Sequence, residues 1–198
     1  MTATDRKPGR PRDASVDAVI IQAALQMLDE VGLQAVSMDG VAARAGVGKA
    51  TIYRRWDSRE DLLIDAVASL VASVEIPETG DIRADLITLL VRLRTFMSDM
   101  KGGSIFPWLL GEVTAGTEVG RHYAEAVILP RRAMIAQVIG RAVEHGSLRA
   151  DLDVQLAVDM ISGPALLRKM MAPIRGVDEG WEEKLVDALL DGWRVGSP

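Results

Sequence analysis

The chain is predicted to be all-α. Three observations lead there: apolar residues recur at i, i+3, i+4 and i+7 in segment after segment, no segment alternates as a half-buried strand does, and glycine, proline and clustered charge divide the periodic stretches. About nine helices are expected. They are arranged as a basic arm over 1–13, a unit of short helices over 14–74 and a longer helical part over 75–198.

The arm, Arg6-Lys7-Pro8-Gly9-Arg10-Pro11-Arg12, cannot be helical, because two prolines and a glycine favour an extended path. It suits phosphates or a minor groove, and its composition equally fits a solubilising tail. Val16, Val19, Ile20, Ala23, Ala24, Met27 and Leu28 then mark a first helix from about Ala14 to Val31, with Gly32 as its C-cap signal. Leu33 and Val36 lead to Ser37, the N-cap of a second helix whose apolar face is Met38, Val41, Ala42 and Ala45. Gly46-Val47-Gly48 forms a corner able to take positive φ, and a third helix turns Ile52 and Trp56 inward behind it. Ala42 leaves room for a steep crossing, and Val47 and Ile52 plug the angle, which is the pattern of a helix-turn-helix. Lys49, Ala50, Thr51, Tyr53 and Arg54 remain on the outward face, a set suited to phosphates and base edges. A surface helical hairpin with solvated basic residues would share this pattern.

Ser58, with Asp61 three residues later, opens a fourth helix in the manner of a capping box, and its apolar face runs from Leu62 to Val74. Glu75 to Asp81 interrupts the periodicity and sets the boundary. A helix follows from about Ile82 to Met100, then a shorter one carrying Phe106, Trp108, Leu109, Leu110 and Val113. The next, from about Glu118 to Glu144, is expected to break or kink at Pro130. Asp151 and Asp153 lead into another, holding Leu156, Met160, Leu167 and Met171 and bent at Pro164. A last helix presents Trp181, Leu185, Val186, Leu189, Leu190 and Trp193. So large an apolar stripe at a fraying-prone position needs cover, either from its own subunit or from a second copy, and pairing of two copies is favoured because two-fold DNA readers dimerise.

The formal net charge of −5 is unevenly spread: residues 1–60 carry +1 and the remainder −6, so a local basic face stands beside an acidic body. The chain has no cysteine, which excludes disulfides, cysteine zinc sites and a cysteine nucleophile. No apolar run approaches the roughly eighteen residues of a membrane span and the first residues do not resemble a signal peptide, so a cytoplasmic place and no membrane partner are expected. No Gly-rich phosphate loop, nucleophile elbow or H-E-x-x-H is present, and neither an enzyme nor a cofactor is expected. His122 and His145 lack metal-ligand spacing and read as surface or capping residues.

Gly32-Leu33 through Ser37, Val41-Ala42-Ala43-Arg44-Ala45-Gly46-Val47, Thr51 to Trp56 and Ser58 to Leu62 together resemble the DNA-binding domain of the TetR family of bacterial transcriptional regulators. A weaker likeness lies in Gly146 to Asp153 and Gly163-Pro164. The resemblance implies a homodimer in which helices one to three bind DNA, the fourth connects, and the later helices enclose an effector site and form the dimer interface. It places Lys49, Thr51, Tyr53 and Arg54 on the recognition segment, Tyr53 as a phosphate contact, and Ser37 at a helix N-terminus suited to phosphate. Arg59 stands where the family more often has lysine, and either cation can meet a phosphate. Arg10 and Arg12 of the arm complete the expected DNA contacts. The effector, an unidentified small apolar molecule, is assigned to Leu93, Phe96, Met97, Phe106, Trp108, Tyr123, Val127 and Met134, although such residues also make ordinary core. Met160, Leu167, Trp181, Leu185, Leu189 and Trp193 are the expected dimer contacts. The function read from all this is a ligand-responsive repressor that binds a palindromic duplex operator; the alternative is a helical ligand-binding or enzymatic protein whose basic unit holds another polyanion, such as RNA.

Overall fold

The computed structural model describes residues 14–98, 105–175 and 179–194, and among these the chain is helical with no strand beyond a single bridge between Leu148 and Arg194. The helices are α1 (Ala14–Val31), α2 (Met38–Ala45), α3 (Lys49–Tyr53), α4 (Arg59–Ala72), α5 (Ile82–Ser98), α6 (Ile105–Ala115), α7 (Glu118–Tyr123), α8 (Leu129–Glu144), α9 (Val154–Arg175) and α10 (Trp181–Trp193). A π-helical turn, Ala124–Ile128, joins α7 to α8 as one rod, so nine separate helices stand among the described residues.

Local chemistry explains most of the boundaries. The Gly40 N–H donates to Ser37 Oγ at 3.1 Å and caps α2, while the Asp61 N–H donates to Ser58 Oγ at 3.0 Å and caps α4. Gly46, at φ 67°, closes α2 in the left-handed region, and the Val47 N–H reaches back to the Ala42 carbonyl at 3.0 Å. Gly48 departs from expectation: its φ is −69°, so Gly46 alone needs the glycine freedom of this corner. Asp81 Oδ1 accepts from the Arg83 N–H at 2.9 Å and starts α5. The expected break at Pro130 is instead the π turn just ahead of it. Proline brings no N–H to the ladder and its ring crowds the preceding turn, and a wider turn upstream relieves both problems without ending the rod.

Two apolar cores result. One gathers Ile20, Leu28, Val41, Ile52, Trp56, Leu62 and Leu63 from α1 to α4, and continues into Ile105 and Leu109 of α6, Tyr123 of α7 and Val127 of the π turn. The other joins α5, α8, α9 and α10 through Leu86, Leu89, Leu93, Ile139, Ile161, Val186, Leu190 and Trp193. Burying each large side chain contributes about 1.5–3 kcal/mol. The helix-turn-helix unit therefore shares its interior with α6 and α7, across the boundary expected at 75–81.

The seam depends on one close approach. A Cβ on Gly120 would lie 2.2 Å from the Glu112 carbonyl oxygen, so α7 can press its backbone onto α6 only where no side chain intervenes. Gly120→Ala is expected to lower stability by about 1–3 kcal/mol or more, read from the urea unfolding midpoint at constant slope. An unchanged midpoint would mean the two helices separate at no cost.

Candidate nucleic-acid interface

α3 is held in place from within. Ile52 is fully buried and Val47 half-buried against the core, while Arg55 turns inward to pair with Asp17 of α1 and donates to the Thr51 carbonyl at 3.3 Å. Arg55 is thus a fastener for the recognition helix. Trp56 is buried and its indole N–H donates to Asp65 at 2.9 Å, so it belongs to the core as expected.

With Ile52 inward, Lys49, Ala50, Tyr53 and Arg54 are exposed together, and Thr51 is half-buried beside them. Tyr53 stands about half out of the protein, at 53%. Arg54 makes no ion pair among the described residues. Lys49 is different: its Nζ lies 2.6 Å from Asp39 Oδ2 of α2. The hydrogen bond to that carboxylate, and then its charge, hold the ammonium above the ordinary lysine range. Asp39 was not read as part of the site; its partnership spans ten positions across a corner, and no helical period signals it.

Ser37 is exposed at the α2 N-terminus, its hydroxyl already engaged by Gly40. Arg59 is packed beside that terminus. Its Nη1 reaches the Val36 carbonyl at 3.5 Å, and its Nε and Nη2 share Glu60 Oε1 at 3.0 and 2.8 Å. Arg59 is thus already paired with a carboxylate beside the α2 N-terminus. Arg10 and Arg12 lie outside the described residues.

The expected effector residues divide between the two cores. Leu93 belongs to that of α5, α8, α9 and α10, Tyr123 and Val127 to that of α1 to α4, and Met134 packs against both. Trp108 lies against the first core, and Phe106 is half-buried. Burial pushes the Tyr123 hydroxyl above the usual tyrosine range, opposed by the charge of Arg131. The side chains of Phe96 and Met97 lie outside the described residues. An open groove of about 520 Å³ runs along α8, lined by Leu129, Arg132, Ala133, Ala136 and Gly140 among others.

The expected dimer residues also divide. Met160 and Leu167 on α9 are exposed at 41% and 59%, whereas Trp181 and Trp193 are buried inside their own subunit, which corrects the reading of the last helix as a face awaiting a partner. Trp193 joins Val186 and Leu190 in the second core, and Arg168 sits 5.3 Å above the Trp181 ring. Leu185 and Leu189 are half-buried at the margin. Glu182, beside Trp181, is buried and paired with Arg94 of α5. No group of three metal-ligating side chains converges among the described residues, and none of their helices is long and apolar enough to cross a membrane.

Comparison with known proteins agrees with this geometry. Residues 20–66 match the family profile described as bacterial regulatory proteins, tetR family, and residues 76–189 match the tetracyclin repressor-like C-terminal domain. The chain is 31% identical over 166 residues to an uncharacterised HTH-type transcriptional regulator, YdeS, of Bacillus subtilis, covering 83% of each chain. It is 31% identical over 185 residues to the DNA-binding transcriptional repressor TetR of Mycobacteroides abscessus, covering 90% of this chain and 94% of that one. The crystal structure of the TetR family transcription regulator SCO0332 superposes with a TM-score of 0.76 at 33% identity, over 90% of this chain and 98% of that one. At 18% identity, the regulator FadR of Bacillus subtilis in complex with stearoyl-CoA shares the fold, with a TM-score of 0.61 over 88% and 95% of the two chains.

Proposed function

Because this chain belongs to the TetR family of bacterial transcriptional regulators, whose members here are regulators and not enzymes, we propose that it is a ligand-responsive repressor acting as a homodimer on a two-fold symmetric operator. The observation that carries this reading is the corner itself: buried Ile52 fixes α3 so that Lys49, Tyr53 and Arg54 project together away from the core. Side chains of that kind, on a helix set at a steep corner, fit the edge of a major groove. Two such helices in a dimer would meet half-sites roughly 34 to 36 Å apart, or a multiple of that.

Dimerisation is assigned to α9. Leu156, Met160, Leu167 and Met170 are all exposed, and their spacing keeps them within one narrow face of the helix. A small apolar effector is assigned to the interior of the C-terminal half, around Leu93, Trp108 and Met134. It would act by favouring a dimer whose recognition helices stand at the wrong separation, with a coupling of about 1–3 kcal/mol. The protein would work in the cytoplasm, where its operator is.

Selection of bound duplexes from a random pool, followed by salt titration on the recovered site and on a scrambled one, tests this. Equal affinity for both would end the sequence-specific reading, and preference for single-stranded RNA would establish the polyanion alternative. On the recovered site, Tyr53→Phe is expected to weaken binding to every duplex alike. Lys49→Ala is expected to lose about 1–3 kcal/mol of discrimination and leaves Asp39 facing the phosphates unpaired. If Lys49→Ala keeps full discrimination, its ammonium serves Asp39 alone.

A further inference from the structure

Between Val31 and Trp56 the chain carries four cations and a single carboxylate, Asp39. Two of the cations find acids outside this stretch, Arg44 at Glu30 and Arg55 at Asp17. Asp39 is committed to Lys49: its Oδ2 lies 2.6 Å from Nζ, and the two side chains stay more than half exposed, at 52% and 67%. The fold does not require this. Ser37 Oγ already caps α2 through the Gly40 N–H, and an ion pair so exposed contributes little to stability. A surface meant for phosphates alone would gain nothing from a carboxylate among its contacts, since anion would meet anion there.

What the pair does offer is a donor beside an acceptor. The major-groove edge of a G·C pair is the complement, with N7 and O6 accepting on guanine and N4 donating on cytosine. O6 and N4 are hydrogen-bonded to each other and so stand roughly 2.7–3.2 Å apart, close to the 2.6 Å between Nζ and Oδ2. An ammonium has three N–H groups and a carboxylate two accepting oxygens. Lys49 can therefore meet N7 and O6 while Asp39 meets N4, without the two parting. Other base pairs match less. A T·A pair keeps an acceptor and a donor at the centre but sets the thymine methyl against the ammonium and adenine N7 against the carboxylate. C·G and A·T reverse the order, so that donor faces donor and acceptor faces acceptor.

We propose that Asp39 and Lys49 form one reading unit that selects a G·C base pair in each half-site, with guanine under Lys49 and cytosine under Asp39. The inference rests on the function proposed above and gives α2 a share in base reading beside α3. Where cytosine is missing, the carboxylate is left against base acceptors and phosphates, a repulsive element that sharpens the choice.

The test uses the full chain and the duplex recovered by selection. Lys49→Ala locates the base pair concerned, as the position where discrimination is lost. There wild type is expected to prefer G·C over C·G by about tenfold or more, and to lose about tenfold when cytosine is replaced by an analogue without its 4-amino group. Asp39→Ala is expected to bind equally with and without that amino group. An equal loss in both proteins would overturn the reading unit, as would a selected site with any other base pair at that position. So would an Asp39→Ala protein that shifts its affinity for all duplexes alike and keeps the wild-type preference, since Asp39 would then only complement the α2 dipole. A pool that converges on no sequence would end the proposed function itself. Convergence with a wild type indifferent to the 4-amino group would end the reading unit alone.

Discussion

Met160→Glu combined with Leu167→Glu is expected to leave α9 helical and, with α9 as the proposed interface, to shift sedimentation from dimer to monomer. Both side chains are exposed in the isolated subunit, at 41% and 59%, so a carboxylate at either stays in water there. Across a two-fold axis the same patch meets itself, and each substitution introduces like charges where apolar surface should close. Burial of unpaired charge costs several kcal/mol, so dimer affinity should fall more than a hundredfold, as read by sedimentation velocity across a concentration series. Operator affinity should fall with it, because a second half-site engaged by a tethered helix adds about 10²–10⁴ to apparent affinity. A double variant that sediments as the wild type would move the interface away from this face of α9.

Trp193→Ala is expected to act in the opposite place. Its ring is 4% exposed and packs with Val186, Leu190 and the residues of α5 and α8 inside one subunit. Removing it leaves a cavity in a closed core, with an expected loss of about 3–5 kcal/mol in urea unfolding. The backbone is also committed there, since the Arg149 N–H donates to the Trp193 carbonyl at 3.0 Å and ties the α8–α9 loop to the end of α10. At urea concentrations below the transition the variant should still sediment as the wild type does. Unaltered stability with a monomeric product would return Trp193 to the interface.

These two experiments address the point where the sequence was hardest to interpret. Trp181, Val186, Leu190 and Trp193 form an apolar stripe whether it is covered from inside or outside, because period reports which residues share a face and not what lies opposite. By contrast, Ser37, Gly46, Ser58 and Asp61 were legible, since capping is settled within three or four residues. The helix-turn-helix and its exposed Lys49, Tyr53 and Arg54 followed from that local grammar. What could not be read were partnerships between distant positions: Lys49 with Asp39 across the corner, Arg55 with Asp17 across 38 positions, and His122 with Asp61 and Asp65 across about sixty. Each demotes or promotes a residue whose type alone pointed elsewhere. Tyr123 and Val127, expected at an effector site through the family resemblance, pack in the core that α4 shares.

That shared core bears on how such regulators can be recombined. Ile105, Leu109, Tyr123 and Val127 complete the interior of the first four helices, so the reading head is not a detachable cassette. A hybrid that joins residues 14–74 of this chain to another sensor would face them with foreign α6 and α7 surfaces. The workable graft carries the cover along: the DNA-reading helices together with the stretch from Ile105 to Ile128, exchanged as one piece.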